Sequence, residues 1–260
     1  MSSSSQTPAQ WVSDITYNDD DYLQTCDVCV PSATTQASGG LQIVPSRRVT
    51  AHSGARVGYA SVNYRFSPSD KHPQNQSTPA FERRNAKWPE HLEDVCAAVR
   101  QLQSKYYFGT NYIIAGHSVG ATLALLVALK AREFDLAPPT AVLGLSGIYD
   151  FPLLHKAHPE YEALTYNAMA REAEIASSPA LHDVQAYLTA GVSHVLLAHS
   201  RDDGLVPWDQ VERMEQTLKN VRPGYVQTLE LFGKHNDIWA DGQEVARAIN
   251  ALLESLRVGA

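Results

Sequence analysis

The residues that could do chemistry begin at Tyr112-Ile113-Ile114-Ala115-Gly116-His117-Ser118-Val119-Gly120-Ala121. A short apolar run enters a Gly-x-Ser-x-Gly motif. An apolar run at helical spacing leaves it, through Leu123, Leu125, Leu126, Val127 and Leu129. Strand, sharp turn and helix in this order present a serine as a nucleophile for acyl transfer. Gly116 and Gly120 are expected to let the strand and helix approach closely. The Val119 N–H, at the helix N-terminus, is the expected donor to a developing oxyanion. The plainer alternative is a glycine-bounded turn with Ser118 as an N-cap.

A serine is a weak nucleophile without a positioned base, and the base needs a carboxylate to hold its tautomer. Two downstream loops hold such residues in the order Ser, Asp, His: Ser200-Arg201-Asp202-Asp203-Gly204-Leu205-Val206-Pro207 and Gly233-Lys234-His235-Asn236-Asp237-Ile238-Trp239. An acid loop of the form Gly-x-x-Asp-x-x-Val-Pro, counted back from Val206-Pro207, selects Asp203 over Asp202, with Ser200 in place of the glycine. His235 is the one of ten histidines with the right order and loop position. His194 and His199 fall in a strand and read as packed residues. His117 reads as pointing away from the nucleophile, and His155, His158 and His182 as surface positions. The catalytic set is therefore Ser118, Asp203 and His235. A histidine base predicts that activity falls on the acid side.

Elements to position these groups are legible along the chain. Trp11 to Val30 reads as one or two antiparallel edge strands turning at Asp19-Asp20-Asp21. Pro31 to Gly40 reads as a loop, and Leu41-Gln42-Ile43-Val44 as a short strand stopped by Pro45. Val57 to Tyr64 is a strand and Pro89 to Lys105 a helix with Leu92, Val95, Cys96, Val99 and Leu102 on one face. Strands follow at 141–146, 194–199 and 225–232, and helices at 207–220 and 243–256. Residues 149–190 read as a helical insertion broken by Pro152, Pro159 and Pro179. Strands alternating with helices predict an α/β fold with a mainly parallel sheet and helices on both faces.

The whole chain has 260 residues, 44% of them apolar, and a net charge of −7. That argues for a single domain over residues 11–260, against nucleic-acid partners and against a membrane surface. No apolar stretch reaches membrane-spanning length. The first ten residues lack a basic and an apolar signal region and read as a disordered tail. Three cysteines without a signal peptide point to a reducing, cytoplasmic setting. Cys26 and Cys29 lie three apart in a strand, on opposite sides, so they read as structural and no metal is expected.

Several motifs together resemble kynurenine formamidase (arylformamidase) of the fungal type. They are Gly116 to Thr122, Asn63-Tyr64-Arg65-Phe66-Ser67-Pro68, Pro89-Glu90-His91-Leu92-Glu93-Asp94-Val95, Gly147-Ile148-Tyr149-Asp150, and the two loops at 199–203 and 233–237. The resemblance runs from about Tyr22 to the C-terminus. It implies an α/β-hydrolase that cleaves N-formyl-L-kynurenine to L-kynurenine and formate in tryptophan breakdown, the kynurenine route to NAD, with no cofactor. It carries the triad to Ser118, Asp203 and His235. Trp208, Trp239 and Tyr149 are candidates for an aromatic pocket. The sequence does not decide between a monomer and a homodimer.

The family also carries a His-Gly-Gly-x-Trp loop after an early strand, which supplies further oxyanion donors. Gly39-Gly40 has no preceding His, and His52-Ser53-Gly54 is not equivalent. Between Pro31 and Val57 the chain is short for a buried strand, a glycine loop and a crossover helix. A central strand and its crossover helix are therefore expected to be partly missing. Three readings stay open: a truncated chain, an inactive relative, or a hole rebuilt from Ser38-Gly39-Gly40. A general carboxylesterase for small esters is the alternative activity.

Overall fold

The computed structural model describes residues 10–18, 24–30, 41–43, 58–240 and 242–258. Residues 1–9 of the expected tail, the Asp19-Asp20-Asp21 turn, the loop at 31–40 and the segment 44–57 lie outside the described residues, and Gln10, the last residue of that expected tail, begins a strand.

Among the described residues eight strands form one sheet: β1 (Gln10–Thr16), β2 (Thr25–Val30), β3 (Leu41–Ile43), β4 (Gly58–Val62), β5 (Tyr112–His117), β6 (Ala141–Leu145), β7 (His194–Ser200) and β8 (Val226–Leu231). Their order is β1-β2-β4-β3-β5-β6-β7-β8. β1 with β2, and β2 with β4, are antiparallel; every other pair is parallel. The central strand, expected to be partly missing, is present over three residues, while its expected crossover helix falls at 44–57, outside the described residues. Leu41–Ile43 pairs with Gly58–Ala60 on one side and Tyr112–Ile114 on the other. Three residues suffice because both neighbours supply the ladder bonds that buried backbone groups require.

The helices are α1 (Glu90–Tyr106), α2 (Val119–Lys130), α3 (Phe151–Ala157), α4 (Glu162–Ala168), α5 (Glu174–Ser177), α6 (Val184–Thr189), α7 (Asp209–Lys219), α8 (Asp237–Ala240) and α9 (Gln243–Val258). The inner parallel strands β5, β6 and β7 are largely apolar and buried along nearly their whole length because both of their faces are covered, whereas the edge strand β8 carries Gln227, Thr228 and Glu230. In β5, Tyr112 and Ile114 join the core shared with α1, α2 and α7. Ile113 and Ala115 join the core under α9. α1 buries Leu92, Val95, Cys96, Val99 and Leu102, the face its periodicity predicts. Cys26, Cys29 and Cys96 are free and buried.

The insertion between β6 and β7 comprises α3 to α6 with short 3-10 turns. Its prolines start elements more than they break them. Pro152 stands in the first turn of α3, where a missing N–H leaves no bond unmade, and Pro159 and Pro179 open 3-10 turns. His155 is buried within this insertion, contrary to the surface position expected. Its Nδ1 is 2.9 Å from Glu174 Oε1 and its Nε2 2.9 Å from Thr165 Oγ1. Among the described residues no helix is long and apolar enough to cross a membrane.

Candidate active site

Ser118 stands between β5 and α2 with φ 55° and ψ −125°, a conformation that strains any residue with a side chain. Three bonds hold it there. Its N–H donates to Leu145 O in β6 at 2.9 Å, and its carbonyl accepts from Ala121 N at 3.0 Å and Ile148 N at 3.4 Å. Gly116 is required sterically, since a Cβ there would lie 2.0 Å from Gly120 O. The expectation for Gly120 needs correction: a Cβ on it would meet nothing within 4 Å. The close approach is made by the backbone of Gly120 against the missing side chain of Gly116. The Val119 N–H opens α2, at the end of a helix where the first N–H groups have no acceptor within the helix itself.

Asp203 and His235 come together from the loops after β7 and β8. His235 Nδ1 lies 2.9 Å from each carboxylate oxygen of Asp203. The His235 N–H also donates to the Asp203 carbonyl at 2.9 Å. Asp203 Oδ1 accepts from Val206 N at 2.7 Å and Leu205 N at 3.1 Å. Asp203 is 2% and His235 6% exposed, whereas the neighbouring Asp202 is exposed. Burial alone would push the Asp203 carboxyl up. The hydrogen bond with His235, and then the one from the Val206 amide, outweigh it and hold the group down to about 2. The carboxylate is therefore charged at neutral pH.

His117, expected to point away, lies against His235. The two rings are 4.3 Å apart at 44°, and His117 Nε2 is 3.0 Å from the His235 carbonyl oxygen. Since His117 precedes Ser118, this contact puts the Asp203–His235 pair beside the elbow. His199 is fully buried close to the acid, with Nε2 2.9 Å from Val206 O and 3.8 Å from Asp203 Oδ2.

The structure assigns packing to several of the other motif residues. Arg65 NH2 lies 2.7 Å from Asp94 Oδ1 and NH1 3.0 Å from Glu90 Oε1, and the Arg65 N–H donates to Asp94 Oδ2 at 3.0 Å. This network pins the segment after β4 to α1. Tyr149 is fully buried in the core, which removes it from the aromatic pocket considered above. A Cβ on Gly144 or Gly147 would lie 2.2 or 2.3 Å from its side chain. Trp208 meets the His199 ring edge-on at 5.8 Å, with Arg201 4.0 Å above it. Of Trp239 only the backbone is described. Ser38, Gly39 and Gly40 lie outside the described residues.

A family model described as BD-FAE matches residues 81–218. Kynurenine formamidase avaC of Aspergillus versicolor is 34% identical over 225 residues, 76% of this chain and 74% of that protein. The kynurenine formamidase-like hydrolase fscH of Fusarium equiseti is 30% identical over 212 residues, 77% of this chain and 71% of that one. Among solved structures, a truncated carbohydrate esterase from gut microbiota superposes with a TM-score of 0.66 at 17% identity, covering 97% of this chain and 98% of its own.

Proposed function

The chain belongs to the kynurenine formamidase family of α/β-hydrolases, and from that premise we propose that it hydrolyses N-formyl-L-kynurenine to L-kynurenine and formate. Ser118 is the nucleophile, His235 the general base and acid, and Asp203 the carboxylate that orients it. The observation that carries this reading is the placement of His235. Its Nδ1 is held at 2.9 Å by both oxygens of Asp203, beside the residue that precedes Ser118.

The steps follow from these positions. Asp203 keeps the His235 hydrogen on Nδ1, which leaves Nε2 to accept a proton. Ser118 Oγ attacks the formyl carbon as its proton passes to His235 Nε2. The carbonyl oxygen becomes an oxyanion stabilised by the Val119 N–H. The C–N bond then breaks, His235 gives its proton to the departing aryl amine, and formyl-Ser118 remains. Water, deprotonated by His235, releases formate and restores the serine. We place the step in tryptophan breakdown leading toward NAD, in the cytoplasm.

Solved relatives in fold are esterases, and the same groups would cleave a small ester by the same steps. Kynurenine release from N-formyl-L-kynurenine, compared with p-nitrophenyl acetate hydrolysis, separates the two readings. Formamide turnover that disappears in Ser118→Ala supports the proposal. Ester turnover alone makes the chain a carboxylesterase. No turnover of either, from a folded protein, makes it an inactive relative.

A further inference from the structure

His117 has no part in the steps above. It ends β5, so the sheet sets its backbone on one side and the strained Ser118 turn sets it on the other. A carbonyl oxygen only accepts, so His117 Nε2 carries a hydrogen and donates it to the His235 carbonyl at 3.0 Å. The His235 N–H is already given to the Asp203 carbonyl. The base is thus gripped at both of its backbone polar groups, by the acid loop at one and by the nucleophile's own strand at the other.

We propose that His117 is a positioning residue: through its hydrogen bond to the His235 carbonyl and its ring packed on the imidazole, it ties the base to the strand that carries Ser118. This rests on the reading of Ser118 and His235 as nucleophile and base. A residue that merely filled space here would need no polar atom, because burying a ring nitrogen costs free energy unless it is hydrogen-bonded. Burial, and next the neighbouring His235, hold the His117 imidazole down to about 4, against the opposing pull of the His235 carbonyl and Asp203. The ring is therefore neutral at neutral pH, and His235 takes up the serine proton beside an uncharged neighbour. Among the described residues, the charged or titratable groups that act on His117 include His235, Asp203 and His199.

The test compares His117→Phe, which keeps a ring without a donor, with His117→Gln, which keeps an N–H donor near the same place. His117→Leu stands in if the phenylalanine variant does not fold. Active sites are counted by fluorophosphonate labelling, and kcat and KM are measured per labelled site on the formamide and the ester. The rate of Ser118 phosphonylation is measured alongside, because it reads the activated serine without assuming any substrate. A displaced base costs up to about a hundredfold in rate. The expected result is a loss of kcat and of phosphonylation rate of about tenfold to a hundredfold in His117→Phe, with KM within about twofold, and recovery of most of it in His117→Gln. Wild-type kcat in His117→Phe, a loss confined to KM, or a glutamine variant as impaired as the phenylalanine one overturns the proposal. A wild-type protein that labels at Ser118 but turns over no formamide defeats the formamidase reading alone, and the phosphonylation rates still decide the role of His117. A folded wild-type protein that does not label defeats both.

Discussion

Asp203→Asn is the substitution whose consequence follows most directly from the geometry. Asp203 Oδ1 accepts the Val206 and Leu205 amides, and both carboxylate oxygens face His235 Nδ1. An asparagine has one oxygen for these donors. If that oxygen keeps the two backbone amides, its NH2 group meets His235 Nδ1 and forces the imidazole hydrogen onto Nε2. The nitrogen that must take the serine proton is then occupied. A wrong tautomer of this kind costs about 10⁴ in kcat. The substitution also removes a stabilising charge, and that loss shrinks at low pH. The folded carboxyl lies at about 2 against an ordinary 3.8. At about 1.4 kcal/mol for each tenfold change in proton affinity, the charged group contributes about 2 kcal/mol at neutral pH. Because the folded value is the lower one, that contribution is present above pH 3.8 and is lost as pH falls toward 2. The assay is kcat on N-formyl-L-kynurenine together with urea midpoints at pH 7 and pH 3. Asp202→Asn, at an exposed position, is the control and is expected within about twofold of wild type, since surface changes seldom exceed about 0.5 kcal/mol. An Asp203→Asn enzyme with more than a tenth of wild-type activity, or an inactivating Asp202→Asn, would refute the reasoning.

Other outcomes follow from the same contacts. Ser118→Gly relieves a positive φ and is expected to raise stability by about 1 kcal/mol while abolishing turnover, measured by thermal unfolding and by the formamide assay. Gly116→Ala forces a methyl group into the Gly120 backbone and is expected to cost about 3 kcal/mol, whereas Gly120→Ala, with open space around it, is expected to gain about 0.5–1 kcal/mol; paired denaturation curves test the contrast. Asp94→Asn removes the buried charge facing Arg65, which keeps Glu90 and one amide oxygen as partners, and is expected to cost about 1–3 kcal/mol in urea unfolding, while kcat per labelled site is retained. His155→Leu leaves Glu174 and Thr165 without their shared partner and is expected to lower the melting temperature, with a loss of about 1–3 kcal/mol.

The elbow was legible in the sequence because its cause is local. A serine held at positive φ needs a small neighbour at Gly116 and a helix starting at Val119, and all of these fall within five residues. The α1 face and the strands at 112–117, 141–145 and 194–200 were legible for a similar reason: periodicity and continuous apolar runs report burial on one face or on two. Chain order after the elbow brought the acid to the Asp202–Asp203 pair and the base to His235. Other features required the folded chain, because their causes are distant in sequence. Leu41–Ile43 is a central strand by virtue of the ladders it shares with β4 and β5, and three residues carry no periodicity of their own. Asp203 faces His235 while Asp202 faces solvent because the loop turns its buried carboxylate onto the Leu205 and Val206 amides. Arg65, Asp94 and Tyr149 read as part of a functional signature, and packing accounts for each. His117 touches His235 across 118 positions of chain, a contact made by two loops and a strand meeting at one end of the sheet. Residue types and local spacing determined which groups could react; the register of parallel strands determined which of them meet, because hydrogen bonds and burial between distant segments are properties of the assembled sheet.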